Sequence, residues 1–309
     1  MGTTWSVVLA AKPANIDPAA LQKLLQQELD LINRQMSTYN PVSEVSRFND
    51  SRSTHWFPVS PETAQVVELA QKISLLSGGA FDVTVGPLVD LWGFGPKPRS
   101  DKRPSDNEIE AALSQAGYRH LHVRSSPAAL RKEIPGLRID LSAIAKGYAA
   151  DRLAEILAGK GVADMLVEIG GEMLIKGKNQ AGKPWRVAVE KPRAGERGIE
   201  KLFHLTDTAM ATSGNYRNFF ELEGRRFSHV IDPVSGYPVA QPPVSVSVLA
   251  PNVALADAWA TAFMVLDEAR GLELAELNQL AVYWVYQDAG ARRTRHSSRM
   301  QPYLAAPAA

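Results

Sequence analysis

The chain has 309 residues, of which 45% are apolar and 22% charged, a composition typical of a globular protein with a sizeable core. Its 34 basic and 33 acidic residues give a formal charge of +1, which provides no electrostatic footprint for nucleic acid or for an anionic membrane. Cysteine is absent, and this excludes disulfides, thiolate zinc sites and cysteine nucleophiles.

The first residues carry no targeting signal. The opening MGTTWSVVLAA predicts a β-strand rather than the apolar core of a signal peptide. No apolar run reaches the ~18 residues that a membrane span requires. From these residues alone we expect either a cytosolic protein or a mature domain that is numbered after processing.

Four helices with recognisable caps are predicted, over 17–34, 61–76, 106–116 and 143–158. Asp17 can cap the first helix and Ser60 the second, because both residue types accept hydrogen bonds from free N–H groups of the first turn. Ser105 and Glu108 form a capping box at the start of the third helix. The fourth follows Ser142.

Short strands fill much of the second half. Residues 164–177 predict two strands broken by Gly170-Gly171, and further strands are predicted over 184–190, 201–207, 225–232 and 243–250, with a hairpin over 280–296. Helices and strands follow each other without a regular βαβ rhythm, which favours the α+β class. We expect one domain over 1–305, with two interwoven α/β lobes as the alternative, and a tail at 306–309.

Residues 78–96, GGAFDVTVGPLVDLWGFGP, combine glycines, aromatic residues and Asp82 without a regular period. This composition is typical of a loop that shapes a pocket. It is equally consistent with a buried connector, and the residues alone do not decide between the two.

The segment RIDLSAIAKGYAADRL (138–153) predicts a junction at which Asp140 ends a strand and Ser142 begins a helix. Such a junction exposes backbone N–H groups and favours anions. Lys146 lies one turn into the helix, and the alternative to a binding role is a surface lysine. The glycines of a Walker A loop are missing.

Three further motifs have ordinary structural explanations beside functional ones. Gly170-Gly171 either lets the backbone approach a ligand closely or forms a bulge, which is the commoner case. Ser213-Gly214 and Asp232-Pro233 predict turns. His229 is predicted to lie in a strand ending at Asp232, where a histidine is more often structural than catalytic. His120 and His122 are weak evidence for a metal without a third ligand.

The segment NVALADAWATAFMVLDEARG (252–271) predicts an apolar helix that nevertheless contains Asp257 and Thr261. Their spacing of four places them one turn apart on one face. They can be ordinary helix residues, with Asp257 in solvent and Thr261 bonded to its own helix. They can also bind a hard cation, since Mg²⁺ takes oxygen ligands and completes its octahedron with water and substrate phosphate.

Taken together and in this order, the motifs resemble the ApbE family of FAD:protein FMN transferases. The resemblance rests on MSTYNPVSEVSRFN, GGAFDVTVGPL, IDLSAIAKGYAADRL, EIGGEM, ATSGNY, FSHVIDPVSGYP and ADAWATAF, and on the opening MGTTWSV. It implies an ApbE-like (T-fold-like) fold of mixed sheets with packed helices.

The resemblance also implies an activity. Such enzymes split FAD, attach FMN through its phosphate to a threonine or serine hydroxyl of a target protein, and release AMP. Mg²⁺ would be bound by Asp257, Thr261 and the backbone carbonyl of Ala143. The FAD site would be lined by Met1, Tyr39, Ala80, Phe81, Asp82, Asp140, Lys146, Gly170, Gly171, Ser213 and Ile231. His229 and Asp232 are the candidates for a general base, with Asp257 acting through the cation.

The resemblance further implies an acceptor protein, expected to be a subunit of a membrane redox complex, and a location in the periplasm or on a membrane anchor facing it. Three alternatives stay open at this point. One is an FAD pyrophosphatase that forms AMP and FMN, the second is a non-catalytic FAD-binding protein, and the third is an electron-transfer flavoprotein.

Overall fold

The computed structural model describes residues 2–11, 16–95, 103–191, 198–215, 219–222, 225–288 and 291–304. Its helices within these ranges are α1 (Pro18–Met36), α2 (Glu44–Asp50), α3 (Pro61–Leu76), α4 (Gly86–Leu91), α5 (Asp106–Leu113), α6 (Ser142–Gly159), α7 (Val253–Val265), α8 (Glu268–Leu277) and α9 (Gln301–Leu304). The strands are β1 (Trp5–Leu9), β2 (Phe57–Pro58), β3 (Leu121–Ser125), β4 (Ala128–Lys132), β5 (Met165–Ile169), β6 (Glu172–Lys176), β7 (Trp185–Glu190), β8 (Ile199–Leu205), β9 (Thr208–Gly214), β10 (Phe219–Leu222), β11 (Arg225–Ser228), β12 (Ser245–Ala250), β13 (Ala281–Asp288) and β14 (Ala291–His296). Mixed helices and antiparallel sheets confirm the α+β class.

The residue contacts divide the chain into two compact units with interleaved segments. Unit 1 comprises Met1–Leu31, Lys146–Arg217 and Pro243–Ala309, and unit 2 comprises Ile32–Ala145 and Asn218–Pro242. Helices α1 and α6 contribute residues to both units. The predicted tail at 306–309 lies outside the described residues.

Unit 1 is built on a seven-stranded antiparallel sheet with the strand order β1-β5-β6-β9-β12-β13-β14. Because successive side chains of a strand point to opposite faces, β9, β12 and β13 present two separate layers. On one face Met210, Leu249 and Tyr283 pack with Trp185 and Phe203 of the β7–β8 hairpin in a single apolar cluster. This hairpin therefore covers that face.

The other face of the sheet is covered by α7, which packs against β9 and β12. The rings of Trp259 and Phe263 stack at 5.2 Å, and Phe263 meets Trp284 of β13 edge-on at 5.3 Å. A helix that is apolar on all sides is expected to be buried, and α7 is buried along most of its length. Nowhere in the described part of the chain is a helix both long and apolar enough to cross a membrane.

Helix α6 contacts the amino terminus of α7 in unit 1. The Asp151 carboxylate accepts hydrogen bonds from the backbone N–H groups of Val253 (2.8 Å) and Ala254 (2.9 Å), two donors that the first turn of α7 cannot satisfy itself. A Cβ atom at Gly147 would lie only 2.5 Å from the Val253 carbonyl oxygen. Glycine at this position therefore allows the two backbones to approach.

Unit 2 contains the three-stranded antiparallel sheet β2-β4-β3, the β10–β11 hairpin and helices α2 to α5. Its largest buried ring, Trp92, stacks on Phe227 at 5.5 Å and donates its indole N–H to the Gly236 carbonyl at 2.8 Å. Ile109 of α5 and Ile231 complete the same apolar cluster. The cluster thus joins α4 and α5 to residues 227–237.

The side chains of Lys132 and Asn49 hold the segment before α6. The fully buried Lys132 ammonium donates to the carbonyls of Phe48 (3.0 Å) and Leu137 (2.9 Å). The Asn49 amide binds both the N–H (2.7 Å) and the carbonyl (2.8 Å) of Ile139. The carbonyl of Leu137 and the N–H and carbonyl of Ile139 are therefore hydrogen-bonded to side chains rather than to a neighbouring strand.

The helices that the sequence predicts over 17–34, 61–76, 106–116 and 143–158 are confirmed within a few residues. The predicted caps are also found. Asp17 accepts from the N–H groups of the next helix turn, Ser60 accepts from Thr63, and Ser105 and Glu108 form the capping box.

The prediction of one helix over 252–271 is wrong, because two helices, α7 and α8, occupy this segment and the following residues. Leu266 adopts an extended conformation (φ −68°, ψ 143°) and ends α7. Asp267 then caps α8 by accepting the N–H of Arg270. Asp267 was thus a cap signal within the segment, and the continuous run of apolar residues before it concealed this signal.

Three local predictions are also corrected. Asp140 does not end a strand, because its neighbour Ile139 binds the Asn49 side chain. His229 lies after β11 rather than in it, since the strand ends at Ser228. Ser213 and Gly214 do not form a turn but belong to β9, where they pair with Val246 and Ser245. The predicted turn at Asp232-Pro233 is confirmed.

The cap at Asp151 predicts a pH effect on stability. Burial raises the pKa of the Asp151 carboxyl to about 6, so that the native state binds this proton more tightly than the unfolded chain does. The stability that results is fully present below the unfolded pKa and is lost as the pH rises through about 6. Asn at this position cannot titrate. The unfolding free energy of the wild type minus that of Asp151→Asn should therefore rise by up to about 3 kcal/mol as the pH falls from 7 to 4 in urea titrations. A difference that shrinks over this range contradicts the assignment.

The close contact at Gly147 predicts a sharp contrast between two glycines of one helix. In Gly147→Ala the new methyl group meets the Val253 backbone, and we expect the free energy of unfolding to fall by about 1–3 kcal/mol. Gly159 is the matched control, because a Cβ there meets nothing within 4 Å. Gly159→Ala should be neutral or more stable by up to about 1 kcal/mol. Thermal melts of both variants measure the contrast, and equal melting temperatures would show that α6 and α7 can separate without cost.

Candidate functional site

Asp257 lies on the buried helix α7 and is only 2% exposed. Its neighbours along the helix are Ala256 and Ala258, both fully buried. The alternative in which Asp257 points into solvent is therefore wrong. A carboxylate at such a position requires partners, because an isolated buried charge is costly.

The partners of Asp257 come from α6. The Lys146 ammonium lies 3.2 Å from Asp257 Oδ1 and 3.3 Å from Oδ2. The backbone N–H of Gly147 donates to Oδ2 at 3.1 Å. In a regular helix this N–H would donate to the carbonyl of Ala143. Lys146, with 29% of its side chain exposed, is thus the counter-ion of Asp257, and the alternative of a lysine that only covers the surface is wrong.

Glu172, at the start of β6, is a second buried carboxylate that the sequence did not single out. Its Oε1 lies 2.8 Å from the Lys146 ammonium, and its side chain is 5% exposed. Its Oε2 is buried and has no hydrogen-bond partner. The residue is part of the EIGGEM motif, so the motif was the signal that could have indicated it.

Gly170 and Gly171 place Glu172 at this position. They form the two-residue turn of the β5–β6 hairpin, in which Ile169 pairs with Glu172. Their φ angles of 62° and 99° lie in the left-handed region that glycine adopts without strain. The bulge that the sequence favoured here is therefore wrong, and the two glycines form a tight hairpin turn.

The charges of this cluster influence each other strongly. Burial alone would lower the pKa of Lys146, but Asp257 and Glu172 outweigh it and hold the pKa well above its ordinary value. Burial, and after it the Asp257 carboxylate, raise the pKa of Glu172 to about 8, although Lys146 acts in the opposite direction. Lys146 therefore stays cationic at neutral pH.

Hydroxyl groups extend the cluster along α7. Thr261, one turn after Asp257, lies with its Oγ1 3.5 Å from Ser213 Oγ of β9. Both side chains are partly exposed, whereas Asp257 is not. Unit 1 therefore contains two groups of selected residues, the Lys146–Asp257 pair with Glu172 and the Thr261–Ser213 pair, and α7 carries a member of each.

In unit 2 the predicted residues of the 78–96 segment are buried. Ala80 is 7% exposed and Phe81 2%. The Asp82 carboxylate accepts from the Thr84 N–H (2.7 Å), the Thr84 hydroxyl (2.6 Å) and the Tyr118 N–H (2.8 Å). Burial raises the pKa of Asp82, and these hydrogen bonds act in the opposite direction. Residues 79–84 are therefore buried, whereas most residues of the following part, which includes α4, are half-buried.

Tyr39 is the opposite case, since 72% of it is exposed. It follows α1 in a turn in which its backbone N–H donates to Ser37 Oγ at 3.3 Å. Val42, in the same loop, is 74% exposed. A large exposed ring is available for stacking on a planar ligand.

Asp140 and Ala143 lie at the start of α6. Asp140 Oδ1 accepts the N–H of Ser142 at 2.9 Å, so that the carboxylate supports the first turn of the helix. Ala143 is the second residue of α6. Met1, the remaining residue of this prediction, lies outside the described residues.

The residues after β11 form the turn of the SHVIDPVSGYP motif. Ile231 is buried and forms an isolated bridge with Pro238. The Asp232 oxygens accept from the Val234 N–H (2.9 Å) and the Ser235 hydroxyl (2.7 Å). The His229 ring lies 6.2 Å from the ring of Phe94. Both Asp232 oxygens therefore stabilise the turn.

His120 and His122 both contact Glu133, at 2.9 Å and 2.7 Å. This shared carboxylate explains their proximity without a metal. Across the described ranges, no group of three or more His, Cys, Asp or Glu side chains is arranged to hold a metal ion.

Solved structures resemble the whole chain. A flavin transferase ApbE from Vibrio cholerae is 42% identical, with a TM-score of 0.91, and the match covers 98% of this chain and 96% of that one. The apo form of the Pseudomonas stutzeri flavinyl transferase ApbE is 35% identical, with a TM-score of 0.90, over 100% of this chain and 95% of that one.

Sequence relatives agree with the structures. The FAD:protein FMN transferase of Vibrio cholerae serotype O1 is 43% identical over 98% of this chain and 90% of its own length. That of Escherichia coli K12 is 39% identical over 98% and 87%. The sequence model of the ApbE family matches residues 1–284. The chain therefore belongs to the ApbE family.

Proposed function

We propose that the protein is an FAD:protein FMN transferase. It cleaves FAD, attaches FMN through its phosphate to a threonine or serine hydroxyl of an acceptor protein, and releases AMP. The observation that carries the proposal is the buried Asp257–Lys146–Glu172 cluster beside Thr261, in a chain of the ApbE family. The names of the relatives support the same activity.

Mg²⁺ fits the residues of this cluster. The donors are carboxylate and hydroxyl oxygens, which hard cations prefer, and Glu172 Oε2 is a buried acceptor without a partner. Asp257 and Thr261 would hold the ion, and the Ala143 carbonyl stays a predicted third ligand. When bound, Mg²⁺ would neutralise the charge that develops on the transferred phosphoryl group and on the departing AMP.

The residues of the chain then have distinct tasks. Lys146 keeps its positive charge because two carboxylates raise its pKa, and it would bind a phosphate oxygen of FAD once Mg²⁺ replaces it beside Asp257. The acceptor protein provides the attacking hydroxyl, which agrees with a chain that has no cysteine. His229 and Asp232 stay the two candidates for the group that takes the proton of that hydroxyl.

We also propose a location in the periplasm or on a membrane anchor facing it, which is what the resemblance implies. The acceptor would be a subunit of a membrane redox complex that binds transiently. No feature of the chain suggests nucleic acid as a partner, since basic and acidic residues nearly balance.

We expect Asp257→Asn to abolish transfer while the fold is kept, because the amide cannot replace the carboxylate in holding the cation. The protein is incubated with FAD, Mg²⁺ and a domain that carries the acceptor threonine, and covalent flavin is read by in-gel fluorescence. Omission of Mg²⁺ should have the same effect as the substitution.

The other outcomes of this assay identify the alternatives. AMP release without covalent flavin would show an FAD pyrophosphatase. FAD binding with no turnover, unchanged in Asp257→Asn, would show a flavin-binding protein. Either result contradicts the transferase proposal.

We expect Tyr39→Ala to weaken FAD binding by about 1–3 kcal/mol, roughly 5- to 150-fold in Kd, because stacking on an aromatic ring contributes that much. Val42→Ala is the matched control, since Val42 is equally exposed in the same loop. Fluorescence titration with FAD measures both variants. If the two dissociation constants are equal, Tyr39 does not contact the flavin.

A further inference from the structure

The ammonium of Lys146 is shared by two buried carboxylates. It contacts Glu172 Oε1 at 2.8 Å and the Asp257 oxygens at 3.2 and 3.3 Å. An ammonium has three N–H donors, and these three contacts account for all of them. Glu172 Oε2 is left buried and without a donor.

The unpartnered Glu172 oxygen is the deficit of this cluster. A buried acceptor without a hydrogen bond is costly. A divalent cation between the two carboxylates would give this oxygen a partner.

We propose that Glu172 is a second carboxylate of the cation site, and that Lys146 occupies the place between Glu172 and Asp257 that a divalent cation takes. The inference rests on the proposed function, which puts the cation at Asp257. Because both carboxylates contact one nitrogen, the contacting oxygens lie within about 6 Å of each other. Mg²⁺ retains several waters, so that Glu172 binds the ion directly or through one of them.

Glu168, in the same hairpin, shows why the inference concerns Glu172 in particular. Glu168 Oε1 accepts the N–H of Gly171 at 2.7 Å, and its Oε2 accepts the hydroxyl of Ser6 at 3.3 Å. Both of its oxygens therefore have donors. Glu168→Gln removes the same charge from the same hairpin and serves as the matched control.

The test measures Mn²⁺ binding to the full chain without FAD, by electron paramagnetic resonance of the free ion, with Mg²⁺ as competitor. Glu172→Gln should weaken Mn²⁺ binding at least about tenfold, the effect of removing a group that tunes a metal site. Glu168→Gln should stay within about twofold of the wild type. Circular dichroism and melting temperature establish that both variants are folded.

A second pair of variants separates a role at the cation from a role through Lys146. Lys146→Met removes the competing ammonium and should strengthen Mn²⁺ binding several-fold, a result that does not depend on Glu172→Gln being folded. If Glu172 belongs to the cation site, adding Glu172→Gln to Lys146→Met weakens binding again. Equal affinity of the single and double variants would show that Glu172 only holds Lys146, and would overturn the inference.

Asp257→Ala distinguishes this inference from the proposed function. Loss of Mn²⁺ binding in Asp257→Ala together with wild-type binding in Glu172→Gln overturns the inference and leaves the proposed function intact. Unchanged binding in Asp257→Ala overturns the cation site itself, and with it the role of Glu172. Loss in both variants, with Glu168→Gln unaffected, supports the inference.

Discussion

The interaction on which the functional part of unit 1 depends is the Lys146 ammonium between two buried carboxylates. An apolar helix can hold Asp257 only if a positive charge lies beside it, because an isolated buried carboxylate is costly. Lys146 comes from α6 and Glu172 from β6. Three elements therefore have to meet at one point.

The positions of these three elements are fixed by the packing of helices and strands rather than by loops. Side chains alternate between the two faces of the sheet. Ser213 and Val246 therefore point towards α7, whereas Met210 and Leu249 pack against the β7–β8 hairpin. Gly147 lets α6 approach α7, and Asp151 binds the first N–H groups of α7. Groups held on helices and strands keep their geometry better than groups on loops, so that the distances within this cluster are well defined.

The sequence predicted those features that depend on residues close together in the chain, and it did not predict contacts between distant residues. Caps such as Ser105 and Glu108 act over three residues, and the helices that they begin were predicted within a few residues. The irregular order of helices and strands also indicated the α+β class. The contact between Lys146 and Asp257 joins residues 111 positions apart, and no local pattern contains it.

Glu172 is the member of the charge cluster that the sequence did not predict. Gly170-Gly171 lies between two five-residue strands, which is the pattern of a two-residue hairpin. Interpreted as a bulge, the pair gave no reason to consider the residue after it. Interpreted as a hairpin turn, it puts Glu172 opposite Ile169 at the end of the sheet, where burial of a carboxylate demands a partner.

The carboxylates that the sequence selected differ in how fully the structure satisfies them. Asp82 accepts three hydrogen bonds within unit 2, and the two oxygens of Asp232 stabilise their own turn. The hydrogen bonds of Asp82 and Asp232 give both carboxylates a structural role. Asp257 and Glu172 instead share a single ammonium, and one buried oxygen lacks a donor. A buried acceptor without a donor is rare in a folded protein, so that the unpaired oxygen, more than the number of acidic residues, distinguishes this cluster from the other carboxylates of the described chain.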